Sequence, residues 1–131
     1  MSGISNMLRR LSSKVYQPIF LRFMKDGAVY GYELTSRFEK MTKGHIQISF
    51  GTVYPILRRM EKSGLISSTK DGSSGRVYYE LTPKGKLAQE KLASDMEETK
   101  KILNGKLLGF LAIYQELFGK EALDELLAQR D

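Results

Sequence analysis

The 131-residue chain contains no cysteine and no tryptophan, and its only histidine is His45. Without cysteine, disulfides, zinc–thiolate sites and thiol chemistry are excluded, and a single imidazole cannot form a cluster that holds a metal ion. The sequence also lacks a GxxxxGK(S/T) phosphate loop and any evident pair of nucleophile and base. We therefore expect no metal site, no cofactor, no catalytic residues and no enzymatic activity.

Long apolar runs are missing as well. No stretch approaches the roughly 18 apolar residues that a membrane-spanning helix needs. The opening segment MSGISNMLRRLSSK carries basic residues without a long apolar core behind them, so it does not have the form of a secretory signal. These two absences predict a soluble, cytoplasmic protein that has no membrane partner.

Acidic residues are scarce in the first half of the chain. Residues 1–64 contain 11 Lys and Arg against 4 Asp and Glu, whereas residues 82–131 contain 8 against 9. The whole chain has a formal net charge of +6. A basic region of this kind favours a polyanionic partner on one surface, and a simple gain in solubility is the alternative explanation.

Apolar residues recur at helical spacing in three segments of the first half. The first helix ends near Gly27, the second spans about residues 30–42, and the third runs from Ser49 or Gly51 to Gly64. Their apolar faces are predicted to consist of Tyr16, Ile19, Phe20, Phe23 and Met24, then Tyr30, Leu34, Phe38 and Met41, and finally Val53, Leu57 and Met60.

Alternating residues predict a β-hairpin after the third helix. Its strands are expected over residues 65–70 and 76–81, and the weaker alternation of residues 45–49 could form a short extended piece. Thr82 and Pro83 are the residue types typical of an N-cap and of the first position of a helix. A further helix is therefore expected to follow the hairpin directly.

The remainder of the chain is predicted to be helical nearly to its end. Asn104, Gly105 and Gly109 lower the helix propensity, so a kink or break is expected there, and Gly119 separates a last short helix. The stretch before the break has a spacing close to a heptad, which favours a dimer seam, with an intrachain antiparallel helix pair as the alternative. The residues assigned to dimerisation are Leu92, Met96, Thr99 and Leu103.

This order of elements is that of a winged helix-turn-helix that carries a C-terminal dimerisation helix. The predicted fold class is mainly α with a small β-hairpin wing. We expect the DNA-binding winged helix-turn-helix over residues 1–82, in which residues 1–14 could form an N-terminal arm. Residues 83–131 are expected to form the C-terminal helical dimerisation region.

Three sequence blocks resemble the PadR family of transcription regulators. They are YGYEL (30–34), GTVYPILRRMEKSGLI (51–66) and VYYELTPKG (77–85), and they occur in the order and with separations similar to those of that family. The resemblance covers about residues 15–90. It departs from the family pattern at Met60, where leucine is usual, and in a short wing.

The resemblance implies a homodimeric DNA-binding regulator, usually a repressor, whose long C-terminal helix packs against the partner subunit. Some members of that family release DNA when they bind aromatic or other hydrophobic compounds, so a small-molecule effector of this kind is an open expectation. A plain hydrophobic core is the alternative for the residues that could line its pocket at a dimer centre. Those residues are Phe20, Phe23, Met24, Met96 and Phe110.

The principal DNA-contact residues are expected on the third helix. At about 100° per residue, Arg58, Arg59 and Lys62 fall on the side opposite the apolar face. Arginine can donate two hydrogen bonds to a guanine edge, and lysine can neutralise a phosphate. The alternative is that these three cations form only the solvated side of the helix.

The start of the third helix is a second candidate contact region. Ser49, Thr52 and Tyr54 lie there, where backbone N–H groups and the helix dipole attract phosphate. Their hydroxyls could add contacts to DNA. Capping is the alternative role for Ser49, and core packing is the alternative for Tyr54.

The hairpin tip is the third candidate contact region. A small polar tip beside a cation can lie along the DNA backbone or enter the minor groove, and an ordinary exposed turn is the alternative. The wing residues expected to contact DNA are Lys70, Ser73, Ser74 and, foremost, Arg76. Tyr32 and Lys43 are flanking candidates that could equally be structural.

The leading hypothesis is a transcription regulator that binds double-stranded DNA sequence-specifically. We expect a repressor that acts as a homodimer on a near-palindromic operator, with its two reading helices roughly 34–36 Å apart. The alternative hypothesis is a winged-helix protein-interaction module whose third helix docks on acidic transcription machinery. That module would bind DNA weakly and without site preference.

Overall fold

The computed structural model describes residues 15–129, which form two compact units. The first unit ends at Leu92 and the second begins at Ala93. This division lies C-terminal to the boundary predicted between residues 82 and 83. The predicted N-terminal arm, residues 1–14, lies outside the described residues.

The first unit contains four helices and three short strands within its described residues. In chain order they are α1 over residues 15–23, β1 (Val29–Tyr30), α2 (Gly31–Met41), α3 (Phe50–Lys62), β2 (Ile66–Lys70), β3 (Val77–Leu81) and α4 (Pro83–Glu90). Three more helices follow, which are α5 (Leu92–Asp95), α6 (Glu97–Phe118) and α7 (Lys120–Ala128). The mainly helical fold with a β-hairpin wing is confirmed.

The core of the first unit is built from one apolar stripe on each of α1, α2 and α3, closed by the sheet. The Tyr16 ring stacks on Phe20 at 5.9 Å and meets Phe38 edge-on at 5.1 Å between ring centroids. The buried residues are Tyr16, Phe20, Leu21, Met24, Val29, Leu34, Phe38, Val53, Ile56, Leu57, Met60, Ile66, Tyr79 and Leu81. Most of the predicted stripe residues belong to this core, but Met41 is exposed.

The sheet has three strands rather than the two of the predicted hairpin. Strand β3 lies between β1 and β2 and pairs antiparallel with both. No strand forms in residues 45–49, so the extended piece that the sequence allowed there is not part of the sheet. The third strand comes instead from Val29–Tyr30, which joins α1 to α2.

The connection from α3 through the hairpin to α4 is held by a compact set of hydrogen bonds. Gly64 ends α3 with a φ of 81°, a conformation that glycine adopts without strain. The Thr82 hydroxyl donates to the Gly64 carbonyl at 2.5 Å and accepts from the Gly85 N–H at 3.0 Å. A Cβ at Gly85 would overlap the carbonyl oxygen of Leu65. The sequence ELTPKG therefore fixes where the base of the wing meets α4.

The second unit contains most of α5 together with α6 and α7, and its described residues form no buried core. Helix α6 runs unbroken from Glu97 to Phe118, so the break predicted at Asn104, Gly105 and Gly109 is wrong. The turn into α7 occurs at Gly119, as predicted, with a φ of 93°. No described residue after Leu92 is fully buried. Among residues 15–129, no helix combines the length and apolarity that crossing a bilayer requires.

Candidate nucleic-acid interface

Helix α3 has one buried face and one exposed cationic face. Val53, Ile56, Leu57 and Met60 pack in the core, and this fixes the rotation of the helix about its axis. The opposite side chains are exposed, and we call them the reading face: Thr52, Tyr54, Pro55, Arg58, Arg59 and Lys62. The predicted placement of the three cations on the outside of α3 is confirmed, and their contact with DNA stays a prediction.

The N-terminus of α3 is capped by a side chain. The Thr52 N–H donates to the Ser49 hydroxyl at 3.3 Å, which is the capping role considered for Ser49. Because α3 begins at Phe50, Pro55 lies in its second turn rather than its first. A proline there cannot donate to the carbonyl of Gly51, and this carbonyl belongs to an exposed residue that water can reach.

Aromatic side chains surround the first turn of α3. Tyr54 is 43 % exposed, so the core role considered for it is wrong. The Phe50 ring lies 5.7 Å from the Tyr54 ring, and the Arg58 guanidinium lies 5.8 Å from the centroid of the same Tyr54 ring. None of Arg58, Arg59 and Lys62 forms an ion pair with another described residue. Their charges are therefore not paired with a carboxylate within residues 15–129.

The tip of the wing is organised around a carboxylate. The Asp71 side chain accepts hydrogen bonds from the Ser74 hydroxyl at 2.6 Å and from the Ser73 hydroxyl at 3.2 Å. The bond from Ser74, followed by that from the Ser73 N–H, lowers the pKa of Asp71 below its ordinary value of 3.8. The tip thus carries a negative charge at neutral pH, and the hydroxyls of both serines are already engaged. Lys70 flanks the tip and is exposed.

The other predicted cation, Arg76, lies between the tip of the wing and the first residue of β3. Its guanidinium carbon lies 4.7 Å from the centroid of the Tyr30 ring, a cation–π distance. The Tyr30 ring meets the Tyr78 ring edge-on at 5.7 Å, because β1 pairs Tyr30 with Tyr78. Within residues 15–129, Arg76 also has no carboxylate partner at ion-pair distance.

An open apolar groove of about 450 Å³ connects these parts of the surface. A Cβ at Gly31 would lie 2.5 Å from the Phe50 ring, so glycine permits the close approach of α2 and α3 at this point. The residues that line the groove include Tyr30, Gly31, Tyr32, Phe50, Tyr54 and Arg76. Phe50 and Tyr30 were not among the predicted site residues, and the signal that could have found them is the density of aromatics beside YGYEL and GTVYP.

The two flanking candidates are both accessible. Tyr32 is 69 % exposed at the start of α2. Lys43 has a φ of 54° in the turn that ends α2, followed by Gly44 with a φ of 80°. Lys43 thus has a structural role in this turn, and contact with DNA remains a prediction for both residues.

The predicted dimerisation residues fall into two groups. Leu92 belongs to the first unit, where it packs partly buried against the hydrophobic core. Met96, Thr99 and Leu103 belong to the second unit and are half-buried. The pocket expected at a dimer centre does not include Phe20 and Met24, because these two side chains are fully buried in the core of the first unit.

Comparison with known proteins connects this arrangement to a family. The profile of the transcriptional regulator PadR-like family matches residues 20–91, more than half of the chain. A transcriptional regulator of Mycobacterium tuberculosis is 33 % identical over 90 residues, which cover 66 % of this chain and 80 % of that protein. Within the described residues, no group of three or more acidic or histidine side chains could hold a metal ion.

Solved structures give the same fold. A PadR-like transcriptional regulator from Bacillus cereus is 31 % identical with a TM-score of 0.59, and the match covers 75 % of this chain and 96 % of the other. Bacillus subtilis PadR, solved in complex with operator DNA, is 19 % identical with a TM-score of 0.51. That match covers 81 % of this chain and 77 % of the Bacillus subtilis protein, and it supports the fold.

Proposed function

The chain belongs to the PadR-like family of transcriptional regulators, and on that premise we propose that it binds double-stranded DNA sequence-specifically as a homodimer and represses transcription. The single observation that carries this proposal is the orientation of α3. Its apolar side chains are committed to the core, so its cations can only face outward. An exposed helix with unpaired arginines, braced by a hairpin, has the form that enters a major groove.

The contacts are divided between base edges and backbone. Arg58 and Arg59 have the chemistry to read guanine edges, whereas Lys62 and Lys70 neutralise phosphates. The carboxylate of Asp71 repels phosphate, so the wing tip itself contributes little attraction. Arg76, which directly precedes β3, supplies a second cation on the wing beside Lys70.

Homodimerisation is supported by the exposed apolar surface of the second unit. Leu107, Leu108, Ile113, Leu117 and Phe118 are all more than half exposed along α6. Covering such side chains contributes about 25 cal/mol for each Å² removed from water, which favours a partner with the same surface. A second copy of α6, joined through the seam predicted at Met96, Thr99 and Leu103, would provide it.

Removing the three cations of the reading face tests the DNA interface. In the combined Arg58→Ala, Arg59→Ala and Lys62→Ala variant, the slope of log K against log salt should fall by up to about 5.4, at about 0.9 for each of the phosphates that the six cations of the dimer would no longer neutralise. If these side chains bind bases in place of phosphates, that fall should be smaller and the loss of site preference larger. The measurement is fluorescence anisotropy on a selected duplex over a range of salt concentrations.

A matched control removes the same number of charges from the second unit. Lys100→Ala, Lys101→Ala and Lys106→Ala change three lysines of α6. This variant should bind with nearly the wild-type salt slope and site preference. Equal losses in both triple variants would mean that net charge, rather than α3, governs binding.

The operator symmetry has its own test. Selection of duplexes from a random pool should recover two related half-sites about 10–10.5 base pairs apart, or a multiple of this spacing. Repression should follow when such a site is placed across a promoter in a reporter strain. Recovery of no preferred sequence would instead favour the protein-interaction module.

A further inference from the structure

The guanidinium of Arg76 lies against a ring that is itself held in place. Tyr30 forms part of β1, where it pairs with Tyr78 of β3. Its backbone N–H donates to the Glu33 carboxylate at 3.1 Å, which ties it to the first turn of α2. The Tyr78 ring packs edge-on against the Tyr30 ring. The ring under Arg76 therefore has a fixed position relative to both the wing and α2.

The backbone of Arg76 is fixed as well. Its carbonyl accepts from the Asp71 N–H at 2.7 Å, which closes the hairpin, and its N–H donates to the Ser74 hydroxyl at 3.2 Å. Arg76 thus lies at the tip end of the wing, one residue before β3. The backbone of Arg76 is held by these hydrogen bonds, so its direction depends on the side chain alone. The contact of the guanidinium with the Tyr30 ring sets that direction.

The side chain is directed toward the apolar groove beside α3. Arg76, Phe50 and Tyr54 line this groove together, so Arg76 and the N-terminal part of α3 border the same open surface. A guanidinium that stacks on a ring with one face keeps the N–H groups at its edge free to donate to an anion. The N-terminus of α3 attracts the same kind of anion.

We propose that Tyr30 is a positioning residue that holds Arg76, directly before β3, as a clamp for one DNA phosphate at the edge of the groove beside α3. This inference rests on the proposed DNA-binding function. Arg76 then contacts the sugar-phosphate backbone of the DNA. It does not enter the minor groove, which was the other role that the sequence allowed. In this proposal the short strand β1 has a function, because its pairing with β3 positions the Tyr30 ring under Arg76.

The geometry can be tested without DNA. In nuclear magnetic resonance spectra of the free protein, the Cδ protons of Arg76 should be shifted upfield by the ring current of Tyr30. Tyr30→Phe should keep this shift because it keeps the ring, and Tyr30→Leu should abolish it. Arg76 protons at their random-coil position in the wild type would overturn the inference and leave the proposed function untouched.

Binding measurements test the consequence. Tyr30→Leu should weaken binding about two- to fivefold for each subunit of the dimer, the range for one cation–π contact at an exposed site, and Tyr30→Phe less than about twofold. In an Arg76→Ala background, Tyr30→Leu should have no further effect, because Tyr30 acts through Arg76. An undiminished effect in that background would show that Tyr30 has a different role. The melting temperature of each variant identifies any loss caused by unfolding.

The clamp and a base reader also differ in selectivity. Arg76→Ala should weaken binding to the operator and to an unrelated duplex by the same factor, and should lower the salt slope of the dimer by about 1.8, at about 0.9 for the phosphate of each subunit. A loss confined to the operator would overturn the assignment to phosphate. A wild-type protein that binds no duplex would refute the proposed function itself, whereas the ring-current shift would still report the Tyr30–Arg76 contact.

Discussion

The two units of the chain differ in where their apolar side chains lie. In the first unit, eight large side chains on the helices and sheet are almost completely buried, including those of Phe20, Leu34 and Leu57. In the second unit, no described side chain is buried, and large residues such as Leu108 and Leu117 are about two-thirds exposed. The first unit therefore has a buried apolar core, whereas large apolar side chains of the second unit are exposed to water.

This difference separates two sources of stability. A packed core stabilises its unit at any protein concentration, because the contacts lie within one chain. A helix pair with an exposed apolar face is stabilised by association, and association depends on concentration. The basic reading face lies on the unit that has a buried core, while the exposed apolar side chains of α6 lie on the unit in which no described residue is buried.

Truncating a side chain in each unit gives the sharpest contrast. Leu57→Ala should lower the free energy of unfolding by about 3 kcal/mol, because Leu57 is completely buried and its removal leaves a cavity. Leu117→Ala should change it by less than about 0.5 kcal/mol in dilute, dissociated protein, because Leu117 is 68 % exposed. Urea unfolding followed by circular dichroism measures both values.

Repeating this pair of measurements at several protein concentrations provides the control. The cost of Leu57→Ala should not vary with concentration, whereas the cost of Leu117→Ala should increase as dimers form. A concentration-independent cost for Leu117 would mean that its surface is not an association surface.

Charges on the apolar side of α6 should separate the subunits. In the combined Leu103→Glu and Leu107→Glu variant, we expect a 14.9 kDa monomer in sedimentation equilibrium. Binding to a duplex with two half-sites should weaken about a hundredfold, because linking two binding modules raises affinity by about that factor or more. Anisotropy on duplexes with one and two half-sites measures the loss.

The control adds the same two charges elsewhere on the helix. Ala112 and Gln115 are exposed on α6, so Ala112→Glu with Gln115→Glu should leave both the dimer and the affinity intact. A monomer from both double variants would point to repulsion by added charge. A dimer from both would place the interface on another surface.

Local residue types were enough to predict much of the first unit. The caps Ser49 and Thr82 and the glycine that ends α3 each have a local geometric reason, and all three take the predicted positions. The exposed face of α3 followed from helical periodicity alone. Its function as a DNA contact could not follow in the same way, because it depends on a partner.

The features that were missed depend on tertiary structure. Strand β1 has only two residues, too few for an alternating pattern, and it exists because β3 pairs with it. The contact of Arg76 with Tyr30 depends on that same register. Helix α6 continues through Gly105 and Gly109. The cost of about 1 kcal/mol for each glycine is small beside the summed helix propensity of the other residues in this 22-residue helix.

Alkaline pH should loosen the first unit through Tyr79, a buried residue of β3. Burial, followed by the nearby Tyr54 and Glu61, raises the pKa of Tyr79 above its ordinary value of 10.0. The associated stability is fully present below about pH 10 and is lost as the pH rises through the pKa of the folded state. Tyr79→Phe should remove this part of the alkaline loss of stability.

Melting temperatures measured from pH 8 to 11 check the effect of Tyr79. The matched control is Tyr32→Phe, because Tyr32 is largely exposed on the same unit. Its pH profile should follow that of the wild type. Identical profiles for wild type and Tyr79→Phe would show that titration of this phenol does not contribute to stability.

The smallest effect is expected at the wing tip, where the first unit, like the second, is exposed to water. The Ser74 and Ser73 hydrogen bonds lower the pKa of Asp71, so their contribution is present above about pH 3.8 and is lost as the pH falls through the lower pKa of the folded state. Asp71→Asn should therefore lower stability slightly at pH 7 and not at all at the acid end of the profile.

The same variant, Asp71→Asn, should strengthen DNA binding modestly, because it removes a negative charge beside Lys70. Unchanged affinity would show that the tip stays clear of the phosphates, and weaker affinity would mean that the ordered tip itself touches the DNA.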